Sequence, residues 1–300
     1  MPTQNAQTLP APGAADGTRR RRRAPRAWLG TLPLLVFAGL CFGLPVGALL
    51  YGAVTHKEPG RATSLTGENI TTTLQGPYLN SLAGSVELSA LTALIGTVLG
   101  MLIAQAVVTS RGGALRESVL TASGVLANFG GIPLAFAFVA TLGISGVVTQ
   151  LVHLDSLGWN LYSFTGLSVI YLYFLVPLMV LISVPALDGL RPQWREAAQN
   201  AGATDGQFWR HVGLPVLAPT LLGGFVLLFG SAFAAYATAA ALVGGSVPLV
   251  TLKIADALSG NVQVGQENVA LALSLDMIVI AGLVMAVYLP LQRRSTRWLH

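Results

Sequence analysis

Glu196 to Pro215 reads EAAQNAGATDGQFWRHVGLP. This polar, helix-compatible stretch lies between two long apolar runs, approximately Gly166 to Val184 before it and Pro215 to Val243 after it. Pro192 can stand in the first turn of a helix, where its missing N–H costs nothing, and Gln193 to Ala201 are mostly good helix formers. Gly202 supplies a helix stop or a close backbone contact. Thr204-Asp-Gly-Gln207 reads as a capping box that opens a second short helix, and Pro215 marks entry into the next apolar run. The expected shape is a helix, a sharp turn and a helix. Phe208 and Trp209, next to Arg210, would give the second helix an apolar face with a basic edge, suited to a groove on a partner or to a lipid surface.

The rest of the chain sets this segment apart. Of 300 residues, 53% are hydrophobic and 10% charged, against about 25% charged in an average soluble domain. That much apolar surface calls for a bilayer as solvent. Six apolar runs, Gly30 to Tyr51, Ser81 to Val108, Val119 to Thr141, Gly166 to Val184, Pro215 to Val243 and Val269 to Leu289, reach the length of about 17–25 residues that crosses hydrocarbon as a helix. A helix satisfies its backbone groups internally, as the bilayer core requires. The fold class is therefore an all-α membrane protein with six transmembrane helices over residues 29–300, and the Glu196 stretch belongs to a loop from about 186 to 215.

Six spans place both termini on one side, and the basic residues test the count. With the N-terminus inside, the inner segments hold Arg19 to Arg23, Arg26, Arg111, Arg116, Arg191, Arg195, Arg210, Arg293, Arg294 and Arg297. Of the 17 Lys and Arg residues only Lys57, Arg61 and Lys253 remain outside. Such an asymmetry is the positive-inside pattern, so both termini and the Glu196 loop are expected in the cytoplasm. Residues 1–28, rich in Ala, Pro and Gly and ending in arginines, have too little apolar content to pack and read as a disordered cytoplasmic tail. A cleaved signal peptide fits less well, because the first apolar run exceeds the usual core of about 7–15 residues.

Gly39, Gly43 and Gly47, and Gly96 with Gly100, have the small-xxx-small spacing that lets helices approach closely, within the chain or in a dimer face. The outer loop, with Thr66-Gly-Glu-Asn69 and Gln75-Gly-Pro-Tyr78, predicts a short surface helix before the second span. Cys41 is alone, which excludes an intrachain disulfide, and His56, His153, His211 and His300 share no ligand spacing, so no metal site is indicated.

Glu196-Ala197-Ala198, three residues, Gly202, nine residues, Val212, one residue, Leu214-Pro215 resembles the EAA signature (EAA-x3-G-x9-I-x-LP) of permease subunits of binding-protein-dependent ABC importers, with Val212 in place of the usual Ile. The stretch Ala234 to Leu275 is similar to the spermidine/putrescine-type branch, though far less specifically. The resemblance implies a type I ABC importer permease-like bundle in a bacterial inner membrane, driven through coupling helices in the cytoplasmic loop. Glu196 would pair with a basic group on an ATPase, Ala197 and Ala198 would allow close approach and Gly202 would make the turn. Asp205, Leu214 and Pro215 complete the implied coupling set. The implied partners are two ABC ATPase subunits, a second permease subunit, an extracytoplasmic substrate-binding protein and membrane lipid, with no nucleic acid.

The only lysines, Lys57 and Lys253, are followed by Glu58 and Ile254, so no Gly-Lys-Ser/Thr loop exists to cradle ATP phosphates. The chain is expected to hold no cofactor and to be no enzyme, with ATP bound by its partners. Among ionisable residues inside spans, Asp276 and Glu87 are candidates for the translocation pathway, and Asn128 and Tyr236 are further polar candidates. Each has an alternative as a helix-to-helix hydrogen bond. A base-free interior with two acids favours a cation such as a polyamine; phosphonate, sulfate, iron and thiamine remain alternatives, and an ATP-independent channel or carrier is the alternative class.

Overall fold

The computed structural model describes residues 31–56, 64–110, 112–259 and 267–296. The tail, Lys57, Arg61, Arg111 and Arg297 lie outside the described residues, so the expectations placed on them have no structural counterpart here. The chain divides into two units between Val46 and Gly47. Helix α1, Leu32–Ala53, begins with Pro33 in its first turn and contains one π turn at Gly39–Gly43. Its residues up to Val46 belong to the first unit and the remainder to the second.

The second unit is almost wholly helical. After a two-residue antiparallel ribbon, β1 (Thr55–His56) with β2 (Ser64–Leu65), come α2 (Glu68–Thr73) and the long α3 (Gly76–Thr109). Then follow α4 (Gly113–Asn128), α5 (Gly131–Leu142) and α6 (Val147–Val152). Helix α7 (Phe164–Asp188) leads to α8 (Pro192–Asn200), and α9 spans Asp205–Phe233. The chain closes with α10 (Ala237–Leu242), α11 (Val250–Leu258) and α12 (Glu267–Thr296). Among the described residues six helical segments are long and apolar enough to cross a membrane.

The third segment differs from the expected Val119 to Thr141. That apolar run is broken after Asn128: Gly131 takes φ 76°, which favours glycine, and Pro133 occupies the first turn of the helix that follows. The apolar segment long enough to cross is Gly131–Val152, itself interrupted between Leu142 and Val147. Likewise the fifth expected span, Pro215 to Val243, ends at Phe233, and a turn separates it from α10. Apolar composition alone does not register these breaks, because glycine and alanine are as apolar in a turn as in a helix.

The core forms where α3, α7 and α9 meet. Met179 of α7 is fully buried between Gly100 of α3 and Gly224 of α9, and a Cβ on either glycine would collide with it. One turn away, Gly96 faces Leu175 and Leu228 in the same way. The Gly96/Gly100 pair thus packs within the chain, in keeping with the small-xxx-small expectation. Hydroxyls along α3 satisfy themselves: Ser89 donates to Ser85 O at 2.7 Å and Thr92 to Leu88 O at 2.7 Å. Tyr171 Oη donates to Ala235 O at 3.1 Å, taking up a carbonyl freed where α9 ends.

At the other end from the Glu196 loop, Ser85 Oγ accepts from Val250 N at 2.8 Å and caps α11. Thr55 O accepts from Asn69 Nδ2 at 2.9 Å and from Asn268 Nδ2 at 2.8 Å, which ties α2 and α12 to the ribbon. Helix α2 is the short surface helix expected before the second span: Glu68 and Thr71 are exposed, while Asn69 and Thr73 on its inner face are buried. Arg116 at the start of α4 pairs with Asp188 at the end of α7. This contact places the turn before α4 and the Glu196 loop at the same end of the bundle, as the charge pattern required.

Gly100→Leu should lower the unfolding temperature of the detergent-solubilised chain, because overpacking at Met179 costs about 1–3 kcal/mol. Gly282→Leu, at a site where an added Cβ meets no atom within 4 Å, should leave it unchanged; equal effects of the two would remove the special status of the Gly100 contact.

Candidate coupling loop and translocation pathway

Helix α8 begins at Pro192 and is closed by a left-handed turn in which Gly202 takes φ 79°. Gly202 N donates to Gln199 O and Ala203 N to Ala198 O, each at 2.9 Å, so the last carbonyls of the helix are satisfied at the turn. The capping box forms as read: Thr204 Oγ1 accepts from Gln207 N at 3.3 Å, and Thr204 N donates to Gln207 Oε1 at 2.8 Å. The second helix, however, is not a separate piece. It passes through a π turn, Trp209–Gly213, and continues without a break as the next span. Leu214 N–H reaches back five residues to Trp209 O, and this wide turn lies against Pro215, whose nitrogen has no hydrogen to donate. Gly213 is required there, since a Cβ would lie 2.6 Å from Trp209 Cε3.

The two limbs of the loop are braced. Arg195 Nε and Nη2 donate to Asp205 Oδ1 at 3.1 and 3.0 Å, and Gln199 Nε2 reaches the same oxygen at 3.4 Å. Asp205 thus has a partner inside the loop, a pairing that the sequence spacing did not reveal. Glu196 and Ala197 are exposed and Ala198 is half-buried, and Glu196 makes no hydrogen bond or ion pair with a described residue. Leu214 and Pro215 are also exposed, at the foot of the span. Ala198, Gly202, Gln207 and His211 border a hollow of about 430 Å³ between α8 and the start of α9.

Phe208 and Trp209 do not form the expected outward face. Phe208 is 6% exposed, and Trp209 packs with Val108 and Leu190 on the cluster of Ala104, Leu187 and Leu217. They turn inward because the spans end here with apolar side chains still uncovered. Trp194 on α8, 36% exposed, is the large aromatic that does face out. Its position three residues after Arg191 on a polar helix was the one sequence signal for it.

The four pathway candidates do not converge. Asn128 ends α4 and Tyr236 precedes α10, so both flank the helix breaks, and these breaks meet: Gly131 N donates to Thr238 Oγ1 at 2.9 Å. Asn128 Nδ2 donates to Gly124 O at 2.9 Å, and Tyr236 is 45% exposed. Glu87 is exposed on α3, on a face away from buried Leu88 and Ser89. Asp276 is half-buried on α12 beside the Thr73 hydroxyl, and its Oδ2 is buried without a partner. Thr238, the buried hydroxyl that joins the two breaks, is the residue that sequence reasoning passed over. Among the described residues no group of His, Cys, Asp and Glu is arranged to hold a metal ion.

The chain is similar to known transport proteins. The sulfate transport system permease protein CysT of Salmonella typhimurium is 40% identical over 68 residues, 23% of this chain and 24% of that protein, so the chain spans about a quarter of that relative's length. The molybdenum transport system permease protein ModB of Mycobacterium tuberculosis is 28% identical over 206 residues, 67% of this chain and 75% of that one. A solved bacterial alginate ABC transporter, in complex with an alginate pentasaccharide-bound periplasmic protein, superposes with a TM-score of 0.68 at 18% identity, covering 90% of this chain and 98% of that one. That likeness shows the fold, the helical bundle of type I ABC importer permeases. Residues 96–297 match the family described as binding-protein-dependent transport system inner membrane component. This match takes in α7 to α9, the Arg195–Asp205 brace and the glycine-closed turn, and the chain belongs to that family.

Proposed function

We propose that this chain is a permease subunit of an ATP-driven importer in a bacterial inner membrane, with both termini in the cytoplasm. The carrying observation is the loop: an exposed, unpaired Glu196 and small Ala197, Ala198 and Gly202 stand on a braced turn that continues as a transmembrane helix. A force applied to α8 reaches α9 through Arg195 and Asp205, and reaches the bundle through Met179 against Gly224. The hollow beside Ala198 and Gly202 leaves room for a side chain of a separate ATPase subunit, and the exposed Glu196 is available to a basic group elsewhere on it. Two ATPase subunits, a second permease subunit and an extracytoplasmic binding protein complete the proposed assembly. The periplasmic protein seated on the alginate transporter supports the last of these.

For the solute we favour a small oxyanion. The relatives above are named for sulfate and molybdenum. Helix α5 starts at the junction of the two breaks, where Gly131 N donates to Thr238 Oγ1, and a helix N-terminus favours negative charge. Asn128 and Tyr236 stand by that junction as neutral hydrogen-bonding groups for the pathway. The polyamine reading rests on two acids, Glu87 of α3 and Asp276 of α12, and neither relative above is named for a polyamine.

In vesicles containing the whole transporter, Glu196→Lys and Gly202→Trp should insert normally, leave ATP hydrolysis running and cut ATP-driven uptake more than about tenfold, as reversal of a paired charge would. Undiminished uptake would sink the coupling assignment, and uptake driven by an ion gradient without ATPase subunits would favour a carrier. Asp276→Asn should leave oxyanion uptake intact; lost uptake would return the carboxylate to the pathway and favour a cationic solute.

A further inference from the structure

Behind α8 lies a second hollow, of about 270 Å³. A water molecule's share of liquid volume is about 30 Å³, so the space admits a phosphate group with part of its ester. Its floor is apolar and comes from the ends of two spans: Val108 lies one residue before the end of α3 and Leu187 one before the end of α7. The hollow therefore sits where hydrocarbon gives way to headgroups.

Two arginines, two amides and one acid stand on its walls among apolar side chains. Arg191 occupies the N-cap position of α8, and its side chain makes no hydrogen bond or ion pair with a described residue. Arg195 also lines the hollow; Asp205 holds its Nε and Nη2, which fixes the guanidinium plane and leaves Nη1 to donate. Gln105 and Gln199 add amide groups, and Trp209 contributes an indole at the level where tryptophan is enriched in membrane proteins. Glu196 is the one acid on the wall.

We infer that this hollow binds the phosphate of an anionic membrane phospholipid. A fixed and a free arginine and two amides suit a phosphate, whose oxygens accept from all of them. The apolar floor suits a lipid over a soluble ion, because the acyl chains can stay in hydrocarbon beside Val108 and Leu187 while the headgroup enters. Basic pockets between membrane helices on the cytoplasmic side recognise headgroups in this way. A bound headgroup would wedge α8 away from the ends of α3 and α7 and so hold the outward side of α8 in place. This site needs neither an ATPase nor a solute.

The test uses the full chain in detergent micelles, with lipid retention read by native mass spectrometry. Dioleoyl phosphatidylglycerol should be retained in preference to dioleoyl phosphatidylcholine. Arg191→Gln should weaken that retention about 5-fold, the worth of one arginine near an anionic surface, and Glu196→Gln should strengthen it by a similar factor. Arg294→Gln, which removes an exposed arginine from the end of α12, should change it less than twofold by the same reasoning. Equal retention of both lipids, an unchanged Arg191→Gln, or an Arg294→Gln that weakens retention as much as Arg191→Gln would overturn the site. Millimolar inorganic phosphate that displaces the lipid from wild type but not from Arg191→Gln would reassign the hollow to a soluble anion and overturn the lipid source.

Discussion

Met179 holds the bundle to its spacing. It is fully buried, with a glycine of α3 on one side and a glycine of α9 on the other; a Cβ on Gly100 would meet its Cβ and Cγ, and one on Gly224 its Sδ and Cε. In lipid no hydrophobic force draws helices together, so close packing and satisfied polar groups do that work. Small residues at Gly96, Gly100 and Gly224 let the backbones approach, and Met179, Leu175 and Leu228 fill what remains. The positions of α3, α7 and α9 follow from that fit, and the loop hung between α7 and α9 inherits them.

That inheritance gives the loop its mechanical character. A flexible hinge between α8 and the span would dissipate movement. Instead, a left-handed glycine closes α8, one carboxylate of Asp205 gathers Arg195 and Gln199, and the helix runs on through a π turn into the membrane. The exposed pair itself would contribute little to stability, roughly 0–1 kcal/mol. Its value lies in direction, because it fixes how α8 is set on α9. The inward turn of Phe208 and Trp209 adds to the same end: they close the foot of the bundle and leave Ala197 and Trp194 exposed on α8.

The far half of the molecule is built differently. There α4 and α9 stop within the apolar region, α5 and α10 resume, and the two interruptions meet at Gly131 and Thr238. Broken helices free backbone groups that lipid cannot satisfy, so such breaks persist only where protein or an aqueous path supplies partners. Thr238 and Tyr171 supply two of them here. Asn128 and Tyr236 flank this junction.

The sequence by itself determined the bilayer as solvent, the six apolar segments, the common side of the loop and the turn before α4, and the glycine-closed, capped shape of the loop. These follow from composition, length, charge asymmetry and local backbone chemistry, all of which act over a few residues. It did not determine where the third and fifth apolar runs break, because Gly130 and Gly131 read as ordinary members of an apolar stretch until a partner hydroxyl 107 residues away is in place. Nor did it reveal that Asp205 is paired, that Phe208 and Trp209 face inward, or which face of α2 is buried. Each of these depends on which helix ends are neighbours, and that was decided only when Met179 seated between two glycines and brought α3, α7 and α9 into register.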